Sequence, residues 1–111
     1  MKVCVLGGGH GCHAAAIDLF EKGHDVTWWR RDREPHARLR ELGALHVTDY
    51  RGERAVPLGD APGAIRLTDD LAAALRGARL VVVPLPAVSH DALAAQVAPL
   101  LEDGQVVFLP P

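Results

Sequence analysis

Cysteines and aromatic side chains are both scarce in this chain: there are 2 cysteines among 111 residues, and aromatics make up 5%. Two thiols, Cys4 and Cys12, cannot build the multi-bridge framework that small secreted domains use in place of a core, so a reducing cytoplasm is the expected location. Long apolar runs are also missing. The opening run Val3-Cys4-Val5-Leu6 stops at Gly7, short of the roughly 7–15 residues of a secretory leader and the ~20 of a membrane span. Nor is there an excess of positive charge, since 12 Lys and Arg face 14 Asp and Glu for a net charge of −2. Phosphate-binding surfaces of nucleic-acid partners normally leave a basic stripe, so neither nucleic acid nor membrane is an expected partner. What is present is 49% hydrophobic residues, enough for a core. Residues 1–111 are expected to form one domain, too small to hold two separate ones.

The pattern alternates between buried strands and helices. Lys2–Leu6 predicts a strand, Gly7-Gly8-Gly9-His10-Gly11 a tight turn, and Cys12–Lys22 a helix with Ala16, Ile17 and Phe20 on one face and Gly23 as its stop. Asp25–Trp29 follows as a second strand. Glu34–Leu42 predicts a charged helix with Leu39 and Leu42 turned inward, closed by Gly43. Ala44–Tyr50 and Arg54–Leu58 flank Arg51-Gly52-Glu53 as a hairpin. Ile65–Leu67 is a brief strand, and Thr68-Asp69-Asp70 offers cap residues to a helix over Leu71–Arg76. Leu80–Leu85 is the clearest buried strand. Ser89 should cap a helix carrying Leu93, Val97 and Leu100, kinked late by Pro99, before a last strand over Gln105–Leu109. This order implies an α/β fold: a doubly wound parallel sheet, strand order 3-2-1-4-5, with a small β-hairpin insertion.

The turn after the first strand carries the chemistry. Gly7-Gly8-Gly9-His10-Gly11-Cys12 has the form G-x-G-x-x-C, where a Rossmann fingerprint ends in Gly or Ala. Gly7 permits the tight turn, Gly9 lets a diphosphate approach the backbone, and a small third residue, here Cys12, lets the helix pack on the strand. Amides at the helix start, Gly11 among them, would hold the phosphates, with His10 facing cofactor or substrate. The end of the second strand, where NAD-specific domains place a carboxylate, holds Arg30 and Arg31. Two guanidiniums there suit a 2′-phosphate, so NADP is preferred over NAD as the expected cofactor. Leu85-Pro86-Ala87, after the fourth strand, should border the nicotinamide ribose. His10, Cys12 and His13 are close in sequence but lack metal-ligand spacing, so no metal is expected. His90, at a helix start, is read as structural or solvated, and no catalytic residue is assigned.

With these pieces placed, the chain resembles the N-terminal domain of the octopine/nopaline (opine) dehydrogenase family, and more distantly those of glycerol-3-phosphate dehydrogenases and ketopantoate reductases. The matching segments are Val5-Leu6-Gly7-Gly8-Gly9-His10-Gly11, Gly23-His24-Asp25-Val26-Thr27, Val81–His90 and Glu102–Pro110. The family usually has Asn at His10, Gly at Cys12 and often an acid at Arg30. The resemblance implies hydride transfer from a nicotinamide to an imine formed between an amino acid and a 2-keto acid, with this chain supplying the cofactor side. Family members continue into a helical domain carrying the catalytic histidine. A separate substrate domain or a homodimer partner would then complete the site, and the surface beyond the last strand should be unusually apolar. A stand-alone nucleotide-binding or redox-sensing module is the alternative.

Overall fold

The computed structural model describes residues 1–8, 10–31, 33–60, 63–84 and 90–108, without the side chains of His10, Arg33, His90 and Asp91. Its first strand, β1 (Lys2–Leu6), is buried from Val3 onward. An apolar run without alternation suits a central parallel strand covered on both faces. β2 (Asp25–Trp29) pairs with it in parallel, from Lys2 opposite Asp25 to Leu6 opposite Trp29. Beyond β2 lies β5 (Arg66–Thr68), and on the other side of β1 lie β6 (Leu80–Val82) and β7 (Val106–Phe108). The sheet order is β5-β2-β1-β6-β7. The two remaining strands, β3 (Ala44–Asp49) and β4 (Gly52–Pro57), pair antiparallel in a sheet of their own. With that hairpin left out of the count, the five-stranded sheet follows the expected order 3-2-1-4-5.

Successive strand residues point to opposite faces, and the core divides accordingly. Val3, Val5, Val26, Trp28 and Val82 face one way, where α1 (His10–Glu21) supplies Cys12 and Ala16. Ile17 and Phe20 of α1 and Leu39 of α2 (Arg33–Leu42) are partly buried against that cluster, and the hairpin adds Val56. Cys4, Leu6, Trp29, Val81 and Val83 face the other way, toward α3 (Leu71–Leu75) and α4 (His90–Val97). Both faces are thus covered, the doubly wound arrangement.

Several boundaries differ from those expected, each for a local reason. α1 starts at His10, two residues before Cys12. On α2, Leu42 is 73% exposed, whereas His36 is 2% exposed. At ~100° per residue Leu42 lies about 120° round the helix from His36, and the Gly43 amide closing onto the Leu39 carbonyl (3.0 Å) ends the helix there. The hairpin turns at Tyr50-Arg51, because the Asp49 carboxylate accepts the Arg51 amide at 2.8 Å and Gly52 (φ +101°) opens β4. β5 begins at Arg66, and Ile65 makes an isolated bridge with Leu58. α3 has the expected cap, with Asp70 accepting the Ala73 amide at 3.2 Å, and ends at Leu75. α4 gives way after Val97 to a 3-10 turn over Ala98–Leu100, where Pro99 has no N–H to continue an α-helix, and Leu100 lies 37% exposed rather than inward. β6 ends at Val82, although the Val83 amide still donates to the Phe108 carbonyl at 3.0 Å. The proposed cap Ser89 and the ends of the Leu80–Leu85 and Gln105–Leu109 segments lie outside the described residues. Among the described residues no helix is long and apolar enough to cross a membrane.

Candidate dinucleotide site

Where strand order reverses, between β1 and β6, the carboxyl edge of a doubly wound sheet opens a crevice, and the chain leaves β1 at that edge through Gly7. The Gly7 amide donates to the Trp29 carbonyl at 2.8 Å, prolonging the β1–β2 ladder by one rung. The chain then swings out of the sheet at φ +118°, a conformation that favours glycine. A second bond holds the turn from the side, since the buried Trp28 indole Nε1 donates to the Gly7 carbonyl at 2.7 Å. A buried indole N–H needs an acceptor, and here the acceptor is the turn itself.

α1 follows at once. Its first turn carries no acidic residue, so the partial positive charge of the helix start is left for an anion. Gly11 faces the end of β6, where an added Cβ would come to 3.4 Å from the Pro84 Cβ and carbonyl oxygen, ordinary contact distance. Cys12 fills the third position of the fingerprint without forcing the helix away. Its thiol is fully buried and donates to the Leu6 carbonyl at 3.7 Å, with the Pro84 carbonyl at 3.9 Å. Burial pushes that thiol up to about 11, against a smaller downward pull from the Arg30 charge, and burial pushes Cys4 up to about 12. Both are free thiols and neutral at physiological pH.

Arg30, the residue after β2, is anchored through its amide to the Thr68 carbonyl at 3.1 Å. Its side chain lies back across the strand end, with the guanidinium carbon 5.8 Å from the centroid of the Trp28 ring. It also lies directly over Gly8. Trp28 is edged on its flanks by His13, with ring centroids 4.6 Å apart, and by His36 at 5.3 Å. His36 Nε2 sits 3.0 Å from the Trp28 carbonyl, while its Nδ1 is buried without a partner among the described residues. Burial holds this imidazole down at about 4, and the Arg30 and Arg40 charges push the same way against the Trp28 carbonyl and Asp69.

Of the residues expected to form the site, Gly7, Gly11, Cys12 and Arg30 come together at one corner of the sheet. Arg31 is solvent-exposed beyond it. Gly9, Leu85, Pro86 and Ala87 lie outside the described residues, as does the His10 side chain. Sequence reasoning missed Gly8, treated as the free position of the fingerprint, and Trp28, treated only as a strand residue. The available signal for Trp28 was its inward parity on β2 beside a polar N–H that had to be satisfied.

The family model described as "NAD-dependent glycerol-3-phosphate dehydrogenase N-terminus" matches residues 2–109. An opine dehydrogenase of Arthrobacter sp. (strain 1C) is 31% identical over 107 residues, covering 96% of this chain and 28% of that protein. A glycerol-3-phosphate dehydrogenase [NAD(P)+] of Moorella thermoacetica is 37% identical over 106 residues, covering 96% of this chain and 30% of that protein. Among solved structures, an octopine dehydrogenase in complex with NADH and agmatine superposes with a TM-score of 0.70 at 27% identity, over 99% of this chain and 28% of that one. The chain therefore spans less than a third of the length of these relatives.

Proposed function

Because the chain belongs to the family described as the NAD-dependent glycerol-3-phosphate dehydrogenase N-terminus, we propose that it is the cofactor-binding half of an NAD(P)-dependent oxidoreductase of the opine dehydrogenase kind. The observation that carries this reading is the turn at Gly7, fixed by β2 on two sides and opening onto the start of α1 at the carboxyl edge of the sheet. That arrangement suits a diphosphate. In this reading the amides around Gly7, Gly9, His10 and Gly11 hold the diphosphate, and Cys12 seats the helix. Leu85-Pro86-Ala87 borders the nicotinamide ribose. Arg30, and Arg31 less directly, favour NADP over NAD through charge-assisted pairing with the 2′-phosphate.

The nicotinamide, when bound, supplies the hydride. Its acceptor in this proposal is the imine of an amino acid and a 2-keto acid, in keeping with the names of the opine and octopine dehydrogenases among the relatives. This chain assigns no catalytic side chain, so the substrate groups come from a separate domain or a second subunit. The apolar residues Val106, Val107 and Phe108 of β7, exposed by 40–60%, are in keeping with such a contact. Two buried, neutral thiols fit a reducing cytoplasm and argue against redox sensing through cysteine. Titration of the purified chain with NADPH and with NADH, followed by nicotinamide fluorescence, tests the proposal. Saturable binding of both, tighter for NADPH and without turnover of keto-acid and amino-acid mixtures, is expected. Absence of binding by either would remove the assignment.

A further inference from the structure

The glycine at position 8 has no conformational reason to be one. Among the described residues the positive-φ glycines include Gly7 but not Gly8, so an ordinary side chain would meet no backbone strain there. What it would meet is Arg30. A Cβ built on Gly8 falls 2.6 Å from Nη2, 2.9 Å from Cζ and 2.9 Å from Nε. All three nearest atoms belong to the guanidinium, along its Nε–Nη2 side, so that side of the group lies on the glycine. Its other neighbour is the Trp28 ring, 5.8 Å from Cζ to centroid. Trp28 is itself fixed, by its bond to the Gly7 carbonyl and by complete burial. The Arg30 backbone is held by Thr68.

The guanidinium is therefore seated by packing, and among the described residues no carboxylate or carbonyl is hydrogen-bonded to it. A half-buried cation held at the junction of the turn and the end of β2 is arranged to receive an anion. We propose that Gly8 is a specificity-determining residue, which sets the preference for a 2′-phosphorylated dinucleotide by giving Arg30 its seat. This rests on the reading of the turn as a dinucleotide site. NADPH and NADH differ only in the 2′-phosphate, and a guanidinium already held in place loses less side-chain freedom on pairing with it. A methyl group at position 8 would lift the guanidinium from its seat while leaving the charge in the protein. The cation then samples solvent and recognises the phosphate less well.

The test compares the parent protein, Gly8→Ala, Arg30→Ala and the double variant. For each, the dissociation constants of NADPH and NADH are measured by nicotinamide fluorescence, and tryptophan emission is recorded without nucleotide. Gly8→Ala is expected to lower the NADPH-over-NADH preference roughly three- to tenfold, the range that freeing one long side chain implies. It should also move the nucleotide-free emission in the same direction as Arg30→Ala does, because both remove the cation from the Trp28 ring. In the Arg30→Ala background, adding Gly8→Ala should leave the preference unchanged. An unaltered preference in Gly8→Ala, or an equal weakening of both nucleotides whether or not Arg30 is present, would show that Gly8 does not act through Arg30 and overturn the inference while leaving the dinucleotide site standing. A parent protein that binds neither nucleotide overturns the site and the inference together.

Discussion

At the scale of single residues, His36 carries the clearest consequence. It lies in the core beside Trp28, neutral, with one ring nitrogen at the Trp28 carbonyl and the other unpartnered among the described residues. Its folded value is held at about 4, below the 6.5 of the free side chain, chiefly by burial. A group whose folded value is depressed in this way binds protons preferentially in the unfolded chain. For a histidine, stability is then complete above about pH 6.5 and declines as the pH falls toward 4. At about 1.4 kcal/mol for each tenfold change in the proton equilibrium, the loss across that window is on the order of 3 kcal/mol. Urea unfolding of the parent at pH 7, 6, 5 and 4.5 should show this decline. His36→Phe, which keeps an aromatic ring against Trp28 but cannot titrate, should flatten it. Equal pH slopes for the two proteins in that window would assign the acid sensitivity to other groups.

At the scale of elements, the hairpin and α1 are joined by charge as well as by packing. Arg54 of β4 forks between Glu21 at the end of α1, with Nη2 2.8 Å from Oε1, and Asp49 of β3, with Nη1 2.9 Å from Oδ1. Arg51 adds a bond to Glu21 at 3.2 Å. The hydrogen bonds from Arg54 hold the Glu21 and Asp49 carboxyls below their usual range. Their contribution is therefore present above the ordinary carboxylate range and is lost as acid protonates them. Ion pairs near the surface contribute little to global stability, so the effect belongs to the hairpin and the end of α1 to which it is tied. Arg54→Ala should speed amide exchange in β3 and β4 by about two- to fivefold, with β1 and β2 unaffected. Uniform acceleration across the chain would show that the cluster supports the whole fold instead.

For the whole molecule, among the described residues the sheet is flanked at one edge and has no further strand at the other. On one side β5 is short and flanked by the hairpin bridge from Leu58 to Ile65. On the other, Val106 and Phe108 point to one face of β7 and are 60% and 52% exposed, and Val107 on the opposite face is 40% exposed. Behind Val107 an apolar groove runs along α4, lined by Val83, Leu93, Val97 and Leu101. An uncovered apolar edge strand is a template for association. The isolated chain should accordingly self-associate with rising concentration in sedimentation experiments, and Val106→Lys, at the exposed start of β7, should shift it toward monomer without altering nucleotide affinity. A parent protein that stays monomeric at high concentration would mean that the edge is not adhesive.

What the sequence determined by itself is the part of the protein that local patterns encode. The apolar run Val3–Leu6 ending in glycine, the helical period after it and the alternation of strand and helix were enough to place the turn at the carboxyl edge of a doubly wound sheet. The hairpin was visible as two strand-like segments around a glycine, and its turn was misjudged by a residue because the Asp49 carboxylate decides it. Tertiary structure decided everything that depends on reach between segments distant in the chain. Only the parallel register of β1 and β2, which sets Leu6 beside Trp29, brings the Trp28 indole to the Gly7 carbonyl and lays Arg30 on Gly8. Only the packing of α2 against β3 and β5, with His36 reaching Trp28, buries that histidine and leaves Leu42 in solvent. Periodicity records which face of an element is apolar; it carries no information about which side chain of another element will lie against it.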